Sequence, residues 1–246
     1  MRTKGFTLAE VLITLGIIGI VAAMTLPILI QKHQEKVTVT KVKEAYSILS
    51  QAYFRASEAN GGDISTWHCT SLPISNRGLC VMEEFEKFLK VTSSKKDKSD
   101  SVPYTLNMAQ NDNAYYNNLQ SITLENGFII KFSHGEWGCN TYSNWNVSEV
   151  EKFSCGIYVD INGEKEPNAL GRDTFVFKIH KNTVSPYGNA TEPYYKFPGL
   201  CSISRENDFW DGGVNGVACA GWIIASGNMD YLHCSDLSYK GKTKCK

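Results

Sequence analysis

MRTKGFTLAEVLITLGIIGIVAAMTLPILIQ, Met1 to Gln31, decides how the rest of the chain is read. A short basic head (Arg2, Lys4) meets Gly5. From Phe6 to Ile30 the chain is apolar for about the length that crosses a bilayer core as a helix. One full charge interrupts it, Glu10, close to the head end. A carboxylate at the centre of a membrane span costs on the order of 2.5 to 3.5 kcal/mol on insertion scales, so one that is retained marks a function. Gly16, Gly19, Ala22 and Ala23 are small, and Gly16, Gly19 and Ala23 share a helix face, as in helices that approach one another closely. Pro27 removes a backbone donor, which predicts a kink or local melting near Met24 to Ile28. Two plainer readings are a secretory signal peptide, with Val21-Ala22-Ala23 as a small-residue cleavage site, and a simple single-span anchor. Glu10, and a helical pattern that continues past the apolar run, oppose both.

Gly5-Phe6-Thr7-Leu8-Ala9-Glu10 ahead of an apolar helix resembles the N-terminal signal of type IV pilins and type II secretion pseudopilins. The likeness extends from Met1 to about Asn60. It implies a leader, residues 1–5, removed by a membrane prepilin peptidase between Gly5 and Phe6, and N-methylation of Phe6. It implies that Glu10 registers the subunit in a filament by meeting the Phe6 amine of a neighbour, and that Pro27 is the kinking proline of the family. The partners implied are other pilin or pseudopilin subunits, in a homo- or hetero-filament, the peptidase, an inner-membrane assembly platform and the membrane itself. The head would lie in the cytoplasm and the remainder outside a bacterial cytoplasmic membrane, with the assembled form in the periplasm or at the cell surface. Positive residues flank the span on both sides (Lys32 and Lys36 follow it), so charge alone leaves the orientation open.

Beyond Ile30 the composition turns polar, and from Val37 the pattern is amphipathic. Val42, Ala45, Tyr46, Leu49, Ala52, Tyr53, Ala56 and Ala59 recur at helical steps, while Lys41, Lys43, Glu44, Gln51, Arg55 and Glu58 fill the other side. Asn60-Gly61-Gly62 is a helix stop. Residues 6–60 therefore read as one helix of about 80 Å. Its first part, 6–30, is the transmembrane or filament-core half, and its second half docks on a domain formed by residues 61–246.

Within that domain, Ile64 to Cys80 reads as a loop, Val81 to Val91 as a short helix and Thr92 to Ser101 as an exposed polar loop. Ser121 to Ser133 alternates around Asn126-Gly127, a hairpin signal. Cys155 to Asn162 and Asp173 to His180 read as further strands, with Thr183 to Ser185 as a short return. The expectation is α+β and pilin-like: a long N-terminal helix on an antiparallel sheet of about four strands, then a disulfide-rich C-terminal region. In that region Ala220 to Ala225 reads as a strand followed by a Gly227-Asn228 turn, amid Pro193, Gly212 and Gly213. Trp210, Trp222 and Tyr231 are candidates for a ligand surface, with core packing the expected role of Trp222.

The eight cysteines, Cys69, Cys80, Cys139, Cys155, Cys201, Cys219, Cys234 and Cys245, all follow the apolar span. An even count beyond a membrane span fits a disulfide framework, for which 105 connectivities exist. Short loops close at low entropic cost, which favours Cys69 with Cys80, Cys139 with Cys155, Cys201 with Cys219 and Cys234 with Cys245. No Cys-x-x-Cys pair supports zinc. Lys and Arg total 25 against 25 Asp and Glu, so no global basic excess recommends nucleic acid.

Asp160-Ile161-Asn162-Gly163 with Pro167-Asn168, Gly171 and Asp173 resembles a turn of many pilin-like domains. Asp160, Asn162, Glu164 and Asp173 offer oxygens of the kind calcium takes, but no ligand spacing fits an EF-hand, and Asx and Gly residues build turns by themselves. His33, His68, His134, His180 and His233 form no metal-protease pair, and no Gly-x-Ser-x-Gly elbow occurs. The sequons Asn146-Val147-Ser148 and Asn189-Ala190-Thr191 are incidental beside a bacterial-type signal. The expectation is a structural subunit with no catalytic residue, no metal and no cofactor; the alternative is an anchored binding or enzymatic ectodomain that does not polymerise.

Overall fold

A computed structural model describes residues 5, 7–111, 117–133, 139–141, 153–180, 183–191, 196–205 and 214–245. Phe6, Trp210, Pro193, Gly212, Gly213, His134 and the Asn146-Val147-Ser148 sequon lie outside the described residues. The chain divides into two compact units, Met1–Val37 and Thr38–Lys246.

Helix α1 is Leu8–Ala59, and it runs without interruption past Pro27. In the first unit its large apolar side chains, from Leu8 to Ile30, are exposed. This is the one described helix long and apolar enough to cross a membrane.

In the second unit the helix buries a stripe formed by Val39, Val42, Ala45, Leu49, Ala52, Tyr53 and Ala56, at steps of three and four residues. Tyr46, half-buried beside that stripe, stacks on Phe177 of the sheet at 6.1 Å. Tyr53, Trp67, Phe85 and Phe132 continue the core as a chain of rings about 6 Å apart. Two 3-10 turns, Ile64–Thr66 and His68–Ser71, lead to α2, Ile74–Glu86. The span expected as a loop up to Cys80 thus contains the first half of α2, and the helix ends five residues earlier than its apolar spacing suggests.

Seven described strands form an antiparallel sheet: β1 Val91–Asp100, β2 Leu119–Leu124, β3 Ile129–Phe132, β4 Cys139–Thr141, β5 Phe153–Asp160, β6 Thr174–Ile179 and β7 Val184–Pro186. Their order is β1-β2-β3-β5-β6-β7. β3 pairs with the second half of β5 and β4 with its first half, along the same edge. Gly127, at φ 84°, makes the expected turn between β2 and β3.

Two expectations fail here. Residues 92–101, expected as an exposed loop, form β1, which is held by its ladder to β2 rather than by an apolar face. It is an edge strand, where lysines such as Lys95 and Lys96 discourage further pairing. Residues 220–225, expected as a strand, lie in helix α3, Cys219–Ser226. A short apolar run does not by itself distinguish a buried strand from a buried helix. Gly227 then closes the helix in the left-handed conformation, at φ 68°.

Both faces of the sheet are covered. Phe132, Ile157, Phe177 and Ile179 build the core, but the alternate positions Ser121, Lys131, Tyr158, Asp160, Thr174 and Lys178 are buried as well. The segment after β1 lies over this second face. Ser101 accepts a hydrogen bond from Lys131 through its carbonyl (2.8 Å), and Val102 and Leu106 are fully buried.

Candidate functional site

The first candidate site is the start of α1. Thr7 precedes the first helical residue and Glu10 is the third within the helix. Glu10 Oε2 accepts the Thr7 backbone N–H at 2.8 Å and the Thr7 hydroxyl at 2.8 Å. Thr7 Oγ1 in turn accepts the Glu10 N–H at 3.3 Å. This is a capping box, in which two helix-end donors are satisfied reciprocally. Thr-x-x-Glu ahead of an apolar run is the sequence signature of this cap. Within its own chain Glu10 already has partners, and its position in the first turn suits the positive end of the helix dipole. Gly5 is exposed, and a side-chain carbon added there meets nothing within 4 Å. The same open space surrounds Gly16 and Gly19.

The second candidate is the turn from Asp160 to Asp173. Asp173 accepts from the backbone N–H groups of Asn168 (2.9 Å) and Ala169 (2.6 Å) and from the Asn162 amide (3.3 Å). Asp160 accepts the Asn162 N–H at 3.1 Å. With its amide nitrogen turned toward Asp160, Asn168 donates to Asp160 Oδ2 at 2.7 Å and to the Gly163 carbonyl at 3.3 Å. Lys131 Nζ lies 3.8 Å from Asp160 and 3.1 Å from Asp100. Gly163 and Gly171 take positive φ, 72° and 73°. These bonds tie the turn to itself and to the sheet. Lys41 of α1 adds a bond to the Ile161 carbonyl (2.9 Å), so the turn also anchors the docked half of the helix.

Burial raises the Asp160 carboxyl to about 7, against the opposing pull of Lys131, and Asp173 is raised for the same reason. His180, at the end of β6, is pushed down to about 4 by burial and by Lys178. The two groups act on stability with opposite signs. Asp160 releases its proton near 3.8 when unfolded but only near 7 when folded, so it weakens the fold as pH rises through that window. His180 takes up a proton near 6.5 when unfolded but only near 4 when folded, so it weakens the fold as pH falls through nearly the same window. Relative to wild type, Asp160→Asn is therefore expected to make the slope of stability against pH more positive between about 4 and 7, and His180→Asn to make it more negative. Urea unfolding of the detergent-solubilised chain across that range measures both slopes. Equal slopes in the two variants would contradict these assignments.

Four disulfides join the cysteines that neighbour one another in sequence: Cys69–Cys80, Cys139–Cys155, Cys201–Cys219 and Cys234–Cys245. The second joins directly paired residues of β4 and β5. The third ties α3 to the segment ahead of it. Trp222 is fully buried and stacks on Phe197 at 4.1 Å. Tyr231 is buried as well and donates to the Gly171 carbonyl at 2.7 Å, so it belongs to the core and not to a ligand surface.

Residues 1–26 match the prokaryotic N-terminal methylation motif, the prepilin-type signal of type IV pilins and pseudopilins. No curated protein and no solved structure matches the chain. Residues 28–209 match a family of unknown function, DUF6613, and the chain belongs to that family, with a prepilin-type signal at its head and an α+β, pilin-like fold behind it.

Proposed function

We propose that the chain is a structural subunit, a pilin or pseudopilin, of a type IV pilus or type II secretion filament. The observation that carries this reading is Glu10, a single carboxylate in register with the Gly5-Phe6 junction at the head of an otherwise apolar helix. Residues 1–5 are the leader, cut before Phe6, which is then N-methylated. Residues 6–60 form the helix, with 6–30 crossing the cytoplasmic membrane and later the filament core, and residues 61–246 form the outer domain. Pro27 lets the exposed apolar half bend to meet its neighbours.

Assembly replaces lipid with copies of the same helix, through heterologous contacts that need not close. In the free subunit the Glu10 carboxylate is held by Thr7. In the filament it exchanges that cap for the charged Phe6 amine of an adjacent subunit, where low dielectric strengthens the pair. The subunit has no catalytic role, and its partners are other such subunits, the peptidase and the assembly platform. The test is co-expression with an assembly ATPase, a platform protein and a prepilin peptidase, followed by shearing. The chain is expected in the sheared filament fraction. If it stays wholly in the membrane with that machinery active, it is an anchored ectodomain instead.

A further inference from the structure

A histidine stands beside the Cys69–Cys80 bridge. His68, exposed on the 3-10 turn His68–Ser71, places Nε2 3.1 Å from Cys80 Sγ. The ligand atoms of His68, Cys69 and Cys80 all lie within 4.8 Å of one another. Cys69 is fully buried, and Cys80 is 6% exposed, so the trio opens to solvent only on the imidazole side. We propose that this bridge is one of two closures of the same site, and that once a dithiol reductant opens it, His68, Cys69 and Cys80 hold a soft divalent metal ion such as zinc.

The geometry is close to what such an ion takes. Neighbouring ligands of tetrahedral zinc stand roughly 3.5 Å apart, given Zn–S near 2.3 Å and Zn–N near 2.0 Å. The imidazole nitrogen already stands at about that distance from Cys80 Sγ. Once unbonded, the two sulfurs reach the same spacing by rotation about their own side-chain bonds. Three protein ligands leave a fourth position on the open side for water. Two thiolates and a neutral imidazole balance the charge of the ion, and sulfur with imidazole selects zinc-like ions over calcium or magnesium.

Glu84 lies one turn after Cys80 on α2 and is nearly buried. Burial pushes its carboxyl up, but bonds from Lys87 and Asn60 and the nearby charge of His68 hold it below the usual range.

The steps balance. The dithiol gives two hydrogens to the bridge, leaving two thiols, and departs as its own disulfide. Metal binding then displaces both thiol protons to solvent, so affinity rises with pH. Oxidation reverses the sequence and expels the ion. In the reduced chain the metal keeps these two cysteines together and out of wrong pairings with the other six. None of this depends on filament assembly.

The test uses the full chain in detergent micelles, reduced with a phosphine, with cobalt(II) as the spectroscopic probe. Reduced wild type is expected to bind one more equivalent of cobalt than reduced C69S/C80S, with thiolate-to-cobalt absorption that zinc abolishes, and the oxidised chain to lack it. His68→Gln keeps both cysteines and the bridge, and should weaken cobalt binding at least about tenfold. If C69S/C80S fails to fold, His68→Gln decides alone. Cobalt affinity unchanged in His68→Gln, or identical spectra from wild type and C69S/C80S, would overturn the assignment.

Discussion

Glu10→Val is expected to insert as well as wild type, to keep its outer domain folded, and to lose at least about tenfold in filament yield, the change that 1.4 kcal/mol produces. The insertion half follows from removing a charge from an apolar segment. The assembly half follows because the neighbour's amine, buried among helices, is left without its counter-charge, and breaking such a pair costs about 3 to 5 kcal/mol. Glu10 also caps its own helix through Thr7, so valine removes two things together. Glu10→Gln separates them: the capping box accepts Gln in place of Glu, whereas the charge is gone. If the cap is what matters, Glu10→Gln assembles normally and Glu10→Val does not. If the pair with a neighbour matters, both fail. Yield in the sheared fraction, set beside total membrane-bound protein, decides between the two. Wild-type yield from both variants would contradict the role given to Glu10.

Gly221→Val is expected to destabilise the outer domain by about 3 kcal/mol or more, through overpacking that no rotamer relieves. Helix α3 passes so close to the turn after β7 that a side-chain carbon at Gly221 would lie 2.3 Å from the Asn189 nitrogen and from the Gly188 carbon. Both neighbours are backbone atoms and do not rotate away. The Gly221 N–H also bonds the Tyr187 carbonyl at 2.7 Å, so separation costs a hydrogen bond as well. A loss of this size is a large share of a domain's 5–15 kcal/mol. Urea unfolding of Gly221→Val against wild type measures it. A midpoint unchanged by the substitution would show that α3 and the turn are not packed as described.

The helix was legible because its pattern is long. An apolar run from Phe6 to Ile30 leads into a stripe at helical steps, and that stripe, from Val42 to Ala56, marks the docked side. The β2–β3 hairpin was legible because Asn126-Gly127 supplies the turn its strands require. The strand β1 was not, because Thr92 to Asp100 carries no apolar alternation; its ladder comes from β2, far away in sequence. Nor was the second face of the sheet. Lys131 and Asp160 occupy polar positions of alternating strands, which reads as a solvated face, yet a long connecting segment buries them against each other. The site around His68 was also hidden. A histidine beside one cysteine carries no metal spacing; the expected Cys69–Cys80 bridge brings Cys80 near, and the 3-10 turn sets the His68 ring against its sulfur.

Intact mass of the chain purified from membranes that contain a prepilin peptidase tests directly whether it is processed as a pilin-type subunit. A single species is expected that lacks Met1 to Gly5 and carries one added methyl group, located on Phe6 by fragmentation. A chain that begins at Met24, as a signal peptidase would leave it, or one that retains Met1 while the peptidase is active on other substrates, would contradict it.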